Sequence, residues 1–133
     1  METIFTKIIR GDIPCYKVAE DARFFAFLDI NPLTEGHTLV VPKNPVDYFF
    51  DIENRELGEM VIFAKKLAKA IKENFPCKKV GMTVVGLEVP HAHIHLIPIN
   101  GVYDMDFKRE KLKISQERFK EIAELIANSM QWL

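Results

Sequence analysis

Two cysteines, Cys15 and Cys77, are all the thiol in this 133-residue chain. They form no CxxC pair and no metal-ligand spacing, so neither a disulfide framework nor a cysteine-built zinc site is expected to organise the fold. A reducing, cytoplasmic setting follows as the expectation. Charge of one sign is lacking as well. A net charge of -1 supplies no field to draw the protein onto nucleic acid or an acidic membrane, and neither is expected as a partner. A small nucleotide is compatible with this balance, because it needs only a local site. No run approaches the ~20 apolar residues that span a bilayer. Glu2, Lys7 and Arg10 interrupt the N-terminus where a signal peptide would be apolar. Internal repeats, low-complexity runs and Gly/Ser/Pro linkers are all missing, which predicts a single domain over residues 1–133. A chain of this length buries roughly two thirds of its unfolded surface and needs no staples.

What is present is periodicity. Residues 4–9 read as a short helix with Ile4, Phe5, Ile8 and Ile9 on one side, ended by Gly11 and Pro14. Residues 16–20 and 23–29 read as two short strands, tightly connected at Asp21-Ala22. The second is almost wholly apolar, which predicts burial on both faces. Residues 31–36 are a loop by composition, and residues 37–41 a strand closed by Pro42. A long helix follows, with Asp51 as N-cap and with Glu53 and Glu56 near its positive end. Its apolar positions are Leu57, Met60, Val61, Ala64, Leu67, Ala68 and Ile71, and Asn74 and Pro76 stop it. The apolar sector widens at Ile62 and Phe63, which fits either a partner subunit or a deep position in the chain's own core. Residues 80–85 and 91–97 read as two further strands. A last helix starts near Gln116, with Ser115 as cap and Ile114 and Phe119 at the spacing of a hydrophobic staple. Ile122, Ala123, Leu125, Ile126 and Met130 make its buried stripe. Five short strands with few long helical crossovers favour an α+β fold with an antiparallel sheet.

Of the four histidines, three fall within five residues: His91, His93 and His95. On a strand these would point to one face, with Ala92, Ile94 and Leu96 on the other. A row of imidazoles is unfavourable unless something uses it, because neighbours repel once protonated. That argues against three idle, solvent-facing side chains. Two chemistries remain. One is metal binding, since three histidines and a water suit catalytic zinc and His37 can add a fourth ligand. The other is nucleophilic attack on phosphorus, with neighbouring imidazoles donating hydrogen bonds to phosphate oxygens and leaving group.

The segment His91-Ala92-His93-Ile94-His95-Leu96-Ile97-Pro98 resembles the histidine-triad pattern. Upstream, Ile4-Phe5-Thr6-Lys7-Ile8-Ile9-Arg10-Gly11-Asp12-Ile13-Pro14 is similar to the N-terminal segment of histidine-triad (HIT) nucleotide-binding proteins. So are Ala26-Phe27-Leu28-Asp29-Ile30-Asn31-Pro32 and Gly36-His37-Thr38-Leu39-Val40-Val41-Pro42-Lys43. The resemblance covers roughly residues 4–98.

The resemblance implies a HIT-like α+β fold: a five-stranded antiparallel sheet, one long helix, a short N-terminal helix and a C-terminal helix. It implies a homodimer with joined sheets. It implies a purine nucleotide-binding hydrolase or transferase that acts on nucleoside phosphoramidates or related nucleotidyl compounds, with no cofactor. By position, His93 would attack the α-phosphorus and form a covalent nucleotidyl-histidine. His37 and His95 would lie near the phosphate or orient the nucleophile, and His91 would support His93 from its other side. Asp29 would accept the ribose hydroxyls. Ile4, Phe5, Ile8, Phe27, Ile30 and Leu39 would line the base pocket.

Three features depart from the pattern. Glu88 stands in the nucleotide site where many relatives carry a small hydroxyl residue. The run Val85-Gly86-Leu87-Glu88-Val89-Pro90 is short and apolar where many relatives have a longer, polar loop. Thr3 and Thr6 occupy positions where some relatives place zinc-binding cysteines, and Pro45 that of a further histidine ligand, so no structural zinc is expected. Glu88 and the short loop support a second reading, a nucleotide-binding interaction module with weak or vestigial catalysis; a metal-dependent hydrolase using the same histidines is a third.

Overall fold

A computed structural model describes residues 1–130 of the chain. In chain order the elements are α1 (Ile4–Arg10), β1 (Lys17–Glu20), β2 (Phe24–Leu28), β3 (Thr38–Pro42), α2 (Asn54–Asn74), β4 (Lys79–Thr83), β5 (Ile94–Ile99) and α3 (Gln116–Ser129). The five strands form one sheet in the order β1-β2-β3-β5-β4, with every neighbouring pair antiparallel. The α+β architecture expected from the sequence is the one observed.

The sheet separates two apolar layers. On one face α2 and α3 pack over it, closing a core that includes Phe24, Ala26, Leu28, Val40, Leu67, Ile71, Ile94, Leu96 and Ile122. On the other face α1 closes a smaller cluster of Phe5, Phe25, Phe27, Leu39 and Val41, with Ile8, Ile9, Cys15 and Val89 at its edge. Alternate residues of β2 and β3 go to opposite layers, which is why both strands are buried along their whole length. The two cysteines are free. No helix among the described residues is long and apolar enough to cross a membrane.

Local chemistry sets the ends of the helices. In α1, Thr3 is the N-cap: its Oγ1 accepts the Thr6 N–H while the Thr6 hydroxyl accepts the Thr3 N–H. Gly11 ends the helix at φ 89°, a left-handed conformation that a Cβ disfavours. Ser115 caps α3 through Arg118 N–H, as expected. The expected cap of α2 at Asp51 is displaced. Residues Phe49–Asp51 form a 3-10 turn instead, and the Glu53 carboxylate accepts from the N–H groups of Arg55 and Glu56.

The buried stripes differ from the helical periodicity at a few positions. Phe63 enters the core of α2, whereas Val61 and Ile62 are exposed. Leu125, expected in the stripe of α3, is also exposed. Each of these side chains lies on the shoulder of its helix, where spacing alone does not say how far the sheet reaches around.

The last strand differs most. It was expected over residues 91–97 but begins at Ile94, so His91 and His93 precede it. Their stretch spends its backbone donors elsewhere: His91 N–H donates to Val89 O at 2.8 Å and Ala92 N–H to Val46 O at 2.7 Å. Pro98 does not end the strand but sits inside it opposite Val80, beyond the last β3 pair at Leu96, where no ladder donor is missed.

Leu67 is fully buried between α2 and the sheet. Leu67→Ala is expected to lower unfolding free energy by about 2–5 kcal/mol in urea titrations. Leu125→Ala, on the exposed shoulder of α3, should give a clearly smaller loss.

Candidate functional site

The four histidines meet on the α1 side of the sheet, and all are buried, between 0 and 7 % exposed. Although the strand starts late, the alternation holds. Ala92, Ile94 and Leu96 join the helical core, and the histidines lie on the opposite side.

His91 is held at both ring nitrogens. The carbonyl of Pro42, 2.7 Å from Nε2, can only accept, so Nε2 carries the proton. Burial holds His91 below the usual imidazole range, which makes the ring neutral and leaves Nδ1 an acceptor. The Thr3 hydroxyl donates to Nδ1 at 2.7 Å. The residue that caps α1 therefore also fixes His91, a role that no motif around Thr3 marks. The carbonyl of His91 then accepts from His93 Nδ1–H at 2.7 Å. This sets the tautomer of His93, with the proton on Nδ1 and the lone pair on Nε2. The Phe5 ring stands edge-on to His93 at 5.0 Å and holds it from the α1 side.

His37 begins a second chain. Asp29 N–H donates to His37 O at 3.0 Å, and Asn31 N–H to Asp29 Oδ1 at 2.8 Å, which folds the loop between β2 and β3 around the imidazole. The Leu33 N–H donates to His37 Nδ1 at 3.0 Å. A backbone N–H cannot accept, so Nδ1 has no proton and Nε2 does. His37 Nε2–H donates to His95 Nδ1 at 2.9 Å, with Asp29 Oδ2 a more distant 3.5 Å away. His95 in turn keeps its proton on Nε2. Its ring centroid lies 4.9 Å from that of His93. Neither His93 Nε2 nor His95 Nε2 meets a partner among the described residues, and neither is sealed from solvent.

Electrostatics reinforce this pattern. Burial, then His95, drives His37 down to about 3, and burial, then His93, drives His95 down to about 4. His93 is lowered too, chiefly by burial. Asp29 is raised by burial, opposed by the Asn31 N–H and by Lys111. The exposed Glu88 places negative charge near both His93 and Asp29. The result is an uncharged ring with a free lone pair, His93 Nε2, beside a neutral donor, His95 Nε2–H. Such a pair suits attack on an electrophile whose oxygens gain charge.

Asp29, His37 and His95 each offer one possible metal-ligating atom within 4.8 Å of the others. They do not fit a metal as arranged. The Leu33 N–H obliges His37 to carry its proton on Nε2, the atom turned toward the other two, and a metal there would require the ring to lose both protons.

The apolar residues expected around a base are partly brought together. Phe5, Phe27 and Leu39 are buried in one cluster with Ile8 at its edge, and Phe5 meets Phe27 edge-on at 5.5 Å. Ile4 and Ile30 are exposed, at 49 and 64 %. A further neighbour lies outside every sequence motif: Phe107 stands edge-on to His95 at 4.9 Å and to His37 at 6.2 Å. It belongs to a stretch without motif or periodicity.

Stability should depend on these neutral rings. His37 and His95 bind protons near 6.5 when unfolded but only near 3 and 4 when folded. Between those limits the unfolded chain holds more protons, so their contribution is complete above about pH 6.5 and is lost as pH falls toward 4. Urea midpoints should drop across that window, and His95→Asn should flatten the drop; an equally steep profile in the variant would remove His95 as its cause.

Comparison with known proteins places this fold and sequence among relatives. The HIT domain matches residues 10–101. Adenosine 5'-monophosphoramidase hnt1 of Schizosaccharomyces pombe is 35% identical over 133 residues, covering 98% of this chain and 100% of that protein. Adenosine 5'-monophosphoramidase HNT1 of Saccharomyces cerevisiae is 41% identical over 96 residues, covering 71% of this chain and 61% of that one. Among solved structures, a Hit-like protein involved in cell-cycle regulation from Bartonella henselae superposes with a TM-score of 0.83 at 30% identity, covering 97% of this chain and 96% of that one. With the matched domain, these relatives and the fold in agreement, the chain belongs to the HIT domain family.

Proposed function

We propose that this protein is a purine nucleotide-binding hydrolase or nucleotidyl transferase that cleaves nucleoside phosphoramidates or related nucleotidyl compounds through a covalent intermediate on His93. The observation that carries the reading is the His93 Nδ1–H bond to the His91 carbonyl, which leaves the Nε2 lone pair facing the site. Relatives named adenosine 5'-monophosphoramidase support the choice of substrate.

In this reaction His93 Nε2 attacks the α-phosphorus, the P–N bond breaks, and the amine departs with a proton drawn from solvent. The ring gains positive charge as it attacks. Its Nδ1–H bond to the His91 carbonyl therefore strengthens toward the transition state, which is the kind of differential binding that accelerates a reaction. His95 Nε2–H donates to a phosphate oxygen. Water then attacks the nucleotidyl-histidine, frees the nucleotide and returns a neutral imidazole. Asp29 accepts the ribose hydroxyls. Phe5, Phe27, Leu39 and Ile8 form the base wall, with Ile4 and Ile30 at its exposed rim. Glu88 favours a second reading, a binding module with slow turnover, because its charge opposes an anionic phosphate close to His93.

Steady-state hydrolysis of adenosine 5'-phosphoramidate tests both. Native turnover should persist in chelator and fall by about 10³-fold or more in His93→Ala, with AMP affinity largely kept. Equal, negligible rates in the two proteins would discard the hydrolase in favour of the module.

We further propose that two copies join through β4. Among the described residues that strand is a sheet edge paired with β5 alone, and Met82 on it is exposed, as is Val61 on α2. Sedimentation should give twice the 15.4 kDa of one chain, and Met82→Lys combined with Val61→Lys should shift it to one.

A further inference from the structure

Residues 102–112 follow β5 and carry no motif, yet they are heavily cross-linked. Asp104 Oδ2 accepts the N–H groups of Asn100 at 2.7 Å and Gly101 at 3.3 Å, and its Oδ1 accepts from Arg109 Nη1 at 3.0 Å. The Arg109 guanidinium lies 4.8 Å above the Tyr103 ring. Lys111 Nζ donates to the carbonyls of Phe107 and, at 3.0 Å, Arg109. Both ends of the stretch are seated. The Met105 sulfur lies so close over Gly81 of β4 that a Cβ there would come within 2.5 Å of it. At the other end, Leu112 N–H donates to Pro32 O at 2.9 Å, in the loop that carries Asp29 and His37.

This construction delivers two side chains to the site. The Phe107 ring packs edge-on against the two imidazoles of the His37–His95 chain, 6.2 and 4.9 Å away. An ammonium has three donors, and Lys111 uses two of them within the stretch itself. Its charge reaches both Asp29 and His37.

We propose that residues 102–112 form a positioning strap, in which Phe107 confines the His37–His95 pair to one orientation and Lys111, next to the Leu112 anchor on Pro32, brings a cation toward the loop of Asp29. The catalytic part of this inference rests on the phosphoramidase reading; the part that concerns the imidazoles does not. Phe107 removes water from rings that must stay neutral for His95 to present a donor. His95 is otherwise faced by His37 and His93, and His37 also by Asp29 and Lys111, so replacing Phe107 changes packing without changing any charge.

Long-range 1H–15N NMR of the ligand-free protein reads the imidazoles directly. Native His95 should keep a bare Nδ1 and a protonated Nε2 down to about pH 5. In Phe107→Ala its midpoint should rise by about one pH unit or more. In the same variant kcat for adenosine 5'-phosphoramidate should fall about tenfold or more while KM changes less than about threefold. Phe107→Leu, which refills the space, should restore both. Lys111→Met should raise the Asp29 carboxyl midpoint, followed by 13C NMR. A native His95 midpoint in a folded Phe107→Ala protein would overturn the strap. Should that variant not fold, Phe107→Val takes its place, and a native His95 midpoint there overturns the proposal. A native protein without turnover would refute the phosphoramidase reading and leave the NMR result to judge the strap.

Discussion

A backbone N–H can only donate, and the one at Leu33 points at His37 Nδ1. Much of the site's chemistry descends from that single directional fact. It forces the proton of His37 onto Nε2, which forces the proton of His95 onto Nε2 in turn, and so converts two imidazoles into a relay with one sense. The carbonyls of Pro42 and His91 impose the complementary order on His91 and His93. Four rings that would be interchangeable in solution become one free lone pair at His93 Nε2, one free donor at His95 Nε2–H and two rings engaged at both nitrogens. Burial makes this arrangement durable, because it keeps every ring uncharged at neutral pH and no fixed tautomer is lost to protonation.

The sheet provides the setting. β2 and β3 run between two apolar layers, so they are buried along both faces, and the loop that links them is drawn tightly around His37. In register, His95 stands opposite Leu39 on β3 and Thr83 on β4, in the middle of the sheet rather than at an edge. Of the four imidazoles His95 alone thus rests on a paired strand, whereas His91 and His93 precede it and Glu88 lies on an exposed bend.

Much of this was legible in the sequence, and the limits of legibility have physical causes. The alternation of histidine with Ala92, Ile94 and Leu96 marks two faces correctly, because side-chain direction survives even where ladder pairing does not. The start of the strand was not legible, since it depends on His91 and Ala92 giving their N–H groups to Val89 and Val46, one nearby and one distant in the chain. Capping was visible at Ser115, where a hydroxyl precedes a periodic run, and misplaced at Asp51, where an aromatic 3-10 turn intervenes. Thr3 carries no mark of its second bond, to a ring 88 residues away. Phe107 carried no signal at all: a lone aromatic between charged residues has no periodicity, and only the tertiary fold brings it to His95.

The shared hydroxyl of Thr3 joins two parts of the molecule that are usually considered separately. Seven residues are too few for a helix to persist by itself in water, so α1 exists because its Phe5 face and its cap are held by the rest of the protein. The same cap holds His91. Opening of the N-terminus, on whatever timescale it occurs, is therefore also an opening of the hydrogen-bonded scaffold beneath His93, and the chain's first few residues share the dynamics of its central imidazoles.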